Sequence, residues 1–212
     1  MSFYDQFDRI AVLDTPSRPE RKAESLREFA AQGIADRVRH YNGERRAAPL
    51  PRLNQALAGS LLSHLGVIRE AKEDRVRQLL FFEDDVQFVR PVPEGDLPVC
   101  DLFYFGFWAG PEAVIAPYAP SYLRLLKDCR GLHAIVIPAS SFDWLLARPA
   151  VENFSFSYSL ALQMEQKLCL CFNPPVAFQR DGISTTTGGS RTLDEYVSRY
   201  NSLAARSGAL TL

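Results

Sequence analysis

Short apolar runs alternate with amphipathic stretches along most of the chain, and that alternation predicts an α/β fold with a mostly parallel central sheet flanked by helices. Ile10-Ala11-Val12-Leu13 reads as a first strand with Asp14-Thr15 at its carboxyl end. Ser17-Arg18-Pro19-Glu20 has the spacing of a capping box with proline in the first helical turn. Ala23, Leu26, Phe29 and Ala30 then recur at helical spacing, and Gly33 supplies a stop. Val38 to Tyr41 reads as a second strand ending at Asn42-Gly43, and Glu44 to Arg52 as a polar, basic loop broken by Pro49 and Pro51. A helix from about Gln55 to Glu73 gathers Leu57, Leu61, Leu65 and Ile68 on one face, with His64 near its middle.

The run Leu79-Leu80-Phe81-Phe82 leads directly into Glu83-Asp84-Asp85. A continuous apolar run bounded by charge is the pattern of a buried central strand. Pro91 to Pro98 reads as a connection, and Leu102 to Phe107 as another strand. Residues 108–131 carry no clear long element, with a short helix at Tyr122 to Leu126 the one suggestion. His133 to Ile137 reads as a strand, Ser140 to Ala147 as a short helix, Val151 to Lys167 as a longer one, and Leu168 to Phe172 as an apolar strand. Val176 to Phe178 suggests a short last strand. Thr185 to Ser190 is a flexible Thr/Gly stretch, after which Thr192-Leu193-Asp194-Glu195 is a second capping box. It opens a helix with Tyr196, Val197, Tyr200 and Leu203 on one side. The 212 residues suit one domain, residues 185–212 being its closing loop and helix.

Composition narrows the classes. Hydrophobic content of 47% and charged content of 23% are ordinary for a globular protein. The net charge of -1 argues against a dedicated nucleic-acid binder. No apolar run approaches the roughly 20 residues of a membrane span, and Met1 to Gln6 lacks signal-peptide character, so cytoplasm is the expected location. Cys100, Cys129, Cys169 and Cys171 have neither zinc-ribbon spacing nor disulfide-scaffold density; Cys169 and Cys171 fall on one strand face as buried free thiols.

The acidic triplet is the main candidate for chemistry. Ligands of open α/β sheets sit outside the carboxyl ends of strands. Adjacent carboxylates there repel one another unless a cation is shared among them. Strand alternation sends Glu83 and Asp85 one way and Asp84 the other, an acidic-x-acidic grip suited to Mg²⁺ or Mn²⁺ and a phosphate ligand. The plainer alternative is a solvated acidic turn after a core strand. Arg18 and Arg21, just past a strand end, are placed to pair with phosphate, or else lie in a solvated first helical turn. His64, amid apolar neighbours, suits a hydrogen-bonded structural role as well as a catalytic one, and His133 is equally ambiguous. Asp181 is the first candidate for an acceptor-side base, against the alternative of an ordinary Asp-Gly turn. Trp108 and Tyr118 offer faces for stacking on a sugar, or core packing. Arg39, Arg45, Arg46 and Arg52 surround a loop that reads first as solvated, with a weak peripheral membrane or glycolipid contact as the alternative.

Several of these segments, in order, resemble glycosyltransferase family 25, the group of lipooligosaccharide and collagen galactosyltransferases. The segments are Val12-Leu13-Asp14 with Arg18 and Arg21, Tyr41-Asn42-Gly43, Ala58 through Ser63-His64, and Val67 to Ala71. Leu79 to Asp85, His133 to Ile137, and Pro175 through Gln179 to Ser184 complete the set. The resemblance implies a single Rossmann-like nucleotide-sugar transferase domain of the GT-A type, a UDP-sugar donor, a saccharide or glycolipid acceptor and an inverting transfer of a hexose, most simply galactose. It also implies a divalent metal, usually manganese. A leaving diphosphate would suit a metal on Asp85, with Glu83 as second contact or ribose partner, and Asp14, Arg18, Arg21, Glu83 and Asp84 around the donor. Two departures stand out. The family's tyrosine after His-Ala is Ile135, and its late-helix aspartate is missing from Asn153-Phe154-Ser155-Phe156-Ser157-Tyr158-Ser159. A catalytically silent member that binds a nucleotide sugar or a partner protein is therefore the rival reading. A nucleotidyltransferase ranks behind both, because no Gly-rich triphosphate loop with a nearby Lys follows the first strand.

Overall fold

The computed structural model describes residues 2–43, 55–147, 156–161, 164–183 and 190–212. The basic loop at 44–52 with Arg45, Arg46 and Arg52, the helix start expected at 151–155 and most of the Thr/Gly stretch lie outside the described residues.

Strands β1 (Arg9–Asp14), β2 (Val38–Asn42) and β3 (Gln78–Glu83) form the expected parallel core, with β1 between the other two. Strand β4 (Val86–Phe88) follows a turn at Asp84-Asp85. After β5 (Leu102–Tyr104) come β6 (Trp108–Ala119), β7 (Tyr122–Arg130), β8 (Ala134–Pro138) and β9 (Cys169–Phe172). The eight-stranded sheet has the order β2-β1-β3-β8-β5-β9-β7-β6. In it β8 and β7 run against the other six, so the sheet is mostly parallel in direction. Two small antiparallel pairs complete the strands: β10 (Ala177–Gln179) with β4, and β11 (Gly182–Ile183) with β12 (Ser190–Arg191).

Helices α1 (Pro19–Ala31), α2 (Gln55–Glu73), α3 (Phe142–Leu146), α4 (Phe156–Ala161) and α5 (Leu193–Ser207) flank the sheet. Strand alternation divides the core into two layers. Leu79 and Phe81 point to the layer holding Val67, Ile68, Tyr196 and Tyr200, whereas Leu80 and Phe82 join Phe3, Phe7 and Phe29 on the other. Cys169 and Cys171 share the first layer as buried free thiols, as their spacing predicts.

Three local expectations are corrected. The segment 108–131 is a long antiparallel hairpin, with no helix at Tyr122 to Leu126. Pro111 and Pro117 lie on β6 at the sheet edge, where proline is tolerated. Helix α1 starts one residue late: Arg18 is its N-cap, without a side-chain cap bond. Its buried stripe is Arg21, Ser25 and Phe29, while Leu26 is 38% exposed and Ala23 and Ala30 face outward. A charged residue takes the inward position because buried carboxylates meet it there. The stop at Gly33 holds: it adopts φ +70°, its N–H bonds Ala30 O, and Ile34 N–H bonds Phe29 O, a Schellman closure. The Thr192 capping box also forms, in both directions.

Candidate functional site

The carboxyl ends of β1 and β3 lie side by side, Leu13 in register with Glu83, and all the central candidates meet at this edge. The chain turns immediately after Glu83, so strand alternation does not continue through the triplet. Asp84 and Asp85 consequently converge on one cation, correcting the expectation that they point apart. Arg21 Nη1 lies 3.0 Å from Asp85 Oδ2 and 3.5 Å from Asp84 Oδ1. All three are buried, with exposures of 6% for Arg21, 3% for Asp84 and 6% for Asp85. The Thr15 N–H donates to Asp84 Oδ2 at 2.6 Å, and Gln179 Nε2 donates to Asp85 Oδ2 at 2.9 Å. Burial, reinforced by the Glu83 charge, pushes the Asp85 carboxyl up to about 7, and burial also raises Asp84.

Glu83 faces a different partner. Its Oε1 lies 3.2 Å from Nε2 of His64, whose Nδ1 is 2.6 Å from the Ser60 carbonyl oxygen. The Ser60 carbonyl can only accept, so Nδ1 carries the ring N–H on that side and Nε2 is the nitrogen turned to Glu83. Burial works against the Glu83 charge, but His64 together with His133 and Arg21 holds the carboxyl below its ordinary range.

Asp14 is 3% exposed, and its Oδ2 lies 3.0 Å from Lys22 Nζ and 2.9 Å from His40 Nδ1. Lys22 is exposed and Arg18, paired with Glu20, is half-exposed. Two buried oxygens of this cluster, Asp14 Oδ1 and Asp85 Oδ1, accept no hydrogen bond among the described residues. Asp181 is exposed, and its carboxylate accepts from the Leu193 N–H at the start of α5.

Sequence reasoning missed the residues that brace this edge. Gln179 also accepts from the Tyr196 hydroxyl at 2.5 Å, linking α5 to Asp85. Arg180 donates its N–H to Asp85 O at 2.6 Å and pairs with Glu28 at 2.6 Å, while Glu28 also accepts from Phe88 N–H at 3.1 Å. The Pro175-to-Ser184 segment carried a signal, its polar Gln-Arg-Asp after an apolar strand, but only the fold brings Gln179 onto Asp85. Trp108 packs edge-on against Tyr196 at 4.8 Å with Arg199 over its ring at 4.3 Å, whereas Tyr118 is 48% exposed.

His133 is buried, and its Nε2 donates to Ala177 O at 3.2 Å. Burial lowers its pKa from 6.5 to about 4. The folded state therefore excludes a proton that the unfolded chain binds, and stability falls as pH drops from 6.5 through about 4. His133→Gln places an amide donor near the same carbonyl without a titrating ring. In urea melts across that range, the variant should gain on the native protein as pH falls; parallel curves would contradict this assignment.

The metal implied by the family resemblance would meet carboxylates that already have partners. Asp85 Oδ2 is shared by Arg21 and Gln179, Asp84 leans on the same guanidinium, and Glu83 is engaged by His64. A divalent ion on Glu83 and Asp85 would have to sit against a buried cation. Among the described residues no group of three or more His, Cys, Asp or Glu is arranged to hold a metal. The residues present do not fit one.

Also among the described residues, no helix is long and apolar enough to cross a membrane. No family model and no curated protein matches the chain. Among solved structures it is similar to A197 from STIV, with 11% identity over 82% of this chain and 86% of that one and a TM-score of 0.47. It is similar also to mannose-1-phosphate geranyltransferase from Thermus thermophilus, with 10% identity, coverage of 77% and 73%, and a TM-score of 0.44. The inositol-1-phosphate CTP transferase from T. maritima is a third, with 10% identity, coverage of 94% and 97%, and a TM-score of 0.42. Two of these three are transferases by name, and none of the likenesses assigns an activity to this chain.

Proposed function

We propose that the protein binds a nucleotide sugar across the carboxyl ends of β1 and β3 and transfers its hexose to a saccharide or lipid-linked acceptor. The observation that carries this reading is the pair of buried carboxylate oxygens, Asp14 Oδ1 and Asp85 Oδ1, that accept no hydrogen bond among the described residues. Leaving such a group unpaired costs about 1–3 kcal/mol, more for a charged group, so each oxygen holds unused hydrogen-bonding capacity at this strand edge. Beside them stand the accessible cations Lys22 and Arg18, suited to a diphosphate. Ribose, base and hexose donors joined by a diphosphate meet both demands at once.

The family resemblance points to a UDP donor and galactose, and to surface polysaccharide or lipooligosaccharide synthesis at the cytoplasmic face of a membrane. On this reading Lys22 and Arg18 neutralise the leaving diphosphate, and Asp14 and Asp85 orient donor hydroxyls. Glu83, part-exposed with His64 behind it, orients the acceptor hydroxyl as a hydrogen-bond acceptor. Asp181 serves the start of α5, and a base role for it requires that contact to open. Manganese enters no step.

A thermal-shift panel of UDP-, GDP- and CMP-sugars, with and without manganese, tests the reading. A ligand at 100 times its dissociation constant stabilises by about 2.7 kcal/mol, so protection by one UDP-sugar is the expected result. Protection by none would contradict it. The rival, a silent nucleotide-sugar binder, is favoured by the missing acid at 153–159; it predicts protection without any transfer product across an acceptor panel.

A further inference from the structure

The acidic triplet does contain a cation, supplied by the chain itself. Arg21 reaches it from the first turn of α1, buried to 6% exposure, with Asp84 and Asp85 as its carboxylate contacts. Its Nη1 stands between the two carboxylates, and unlike a metal the guanidinium cannot dissociate. From α2, His64 Nε2 lies 3.2 Å from Glu83 Oε1. Each of the three carboxylates is thus matched by a side chain from a helix, and the helices meet the sheet at that edge. A divalent ion arriving there would displace a buried guanidinium from its partners or share the space with a like charge, both unfavourable away from water.

We propose that Arg21 permanently occupies the place of a metal in this site, so that the protein binds its nucleotide ligand without a divalent cation, the diphosphate meeting Lys22 and Arg18. The second half rests on the nucleotide-sugar reading; the first half does not. Removing the guanidinium uncovers a buried acidic pair with no cation of its own, which is the starting condition for a hard-metal site.

Two titrations separate the claims. In the first, free Mn²⁺ is followed by electron paramagnetic resonance as it is added to the native protein, to Arg21→Lys and to Arg21→Gln, with circular dichroism to check folding. The native protein and Arg21→Lys should show no saturable site, and Arg21→Gln should bind Mn²⁺ at least about tenfold more tightly than either. Saturable binding to the native protein that disappears in Asp85→Asn overturns the proposal, and so does a folded Arg21→Gln that binds no better. Should Arg21→Gln not fold, the native protein and Arg21→Lys still decide. In the second, calorimetry measures UDP binding in excess EDTA and in Mn²⁺. Equal affinities are expected; a tenfold gain with the metal overturns the metal-free claim. Absence of UDP binding in both buffers defeats the nucleotide reading, while the first titration still judges Arg21.

Discussion

Arg21→Gln is expected to lower folding stability by about 3–5 kcal/mol, the usual result of stripping one partner from a buried ion pair. The guanidinium lies 3.0 Å from Asp85 and 3.5 Å from Asp84, with all three side chains less than a tenth exposed. Without it two buried carboxylates face each other beside Glu83. The cheapest relief is proton uptake, and Asp85 already holds its proton up to about 7. Acids whose folded pKa lies above the unfolded value contribute stability at low pH that is lost as pH rises through the folded pKa. The substitution should therefore cost more at about pH 8 than at about pH 5.5, as read from urea midpoints. Adding Asp84→Asn and Asp85→Asn to Arg21→Gln should recover most of the loss, since the repelling charges are then gone. A cost below about 1 kcal/mol, the range of an exposed pair, would contradict the buried geometry.

The second large effect is steric. Gly106 lies where the chain leaving β5 touches β10, and a Cβ there would stand 1.8 Å from Ala177 O and 3.0 Å from its carbonyl carbon. Neither atom belongs to a side chain that can swing aside. The Phe105 carbonyl also holds the Val176 N–H at 2.7 Å and the Ala177 N–H at 3.3 Å, so relief requires breaking these bonds and moving β10. Gly106→Ala is expected to cost about 3 kcal/mol or more, at or beyond the upper end for overpacked cores. It should also weaken ligand binding, because β10 ends in Gln179, the amide that fixes Asp85. Gly66→Ala is the matched control: nothing lies within 4 Å of its Cβ position in α2, and helix propensity favours alanine by up to about 1 kcal/mol. Comparable melting temperatures for the two variants would refute the close approach at Gly106.

Much of the scaffold was legible because local pattern and tertiary role agree. The apolar run ending in Glu83 is buried on both faces, so it reads as a central strand and is one. Thr192 and Glu195 form the cap their spacing announces, and α2 keeps the bounds read from its periodicity. Misreadings arose where a distant partner overrides a local rule. The inward residue of α1 is an arginine, sensible only once Asp84 and Asp85 are brought against it. The prolines of β6 forbid a central strand but not an edge one, and edge position is a property of the assembled sheet. Among the site residues, Asp14, Arg21, Glu83, Asp84 and Asp85 gather as the strand ends suggested. The turn at Asp84-Asp85 could not be seen in an alternation argument, and it converts an expected metal grip into a salt-bridged cluster. The roles of Gln179, Glu28 and Tyr196 were not legible for a related reason, since each acts through contacts far apart in sequence, although Gln179 lies in a segment the resemblance had marked.

The claim of a nucleotide sugar seated on Asp14 is tested most directly by calorimetric titration of UDP-galactose into the native protein and into Asp14→Ala, in buffer containing EDTA. Saturable binding to the native protein, weakened at least about tenfold in a variant with unchanged circular dichroism, is the predicted result. Equal affinity in the two proteins, or no heat of binding in either, would contradict it.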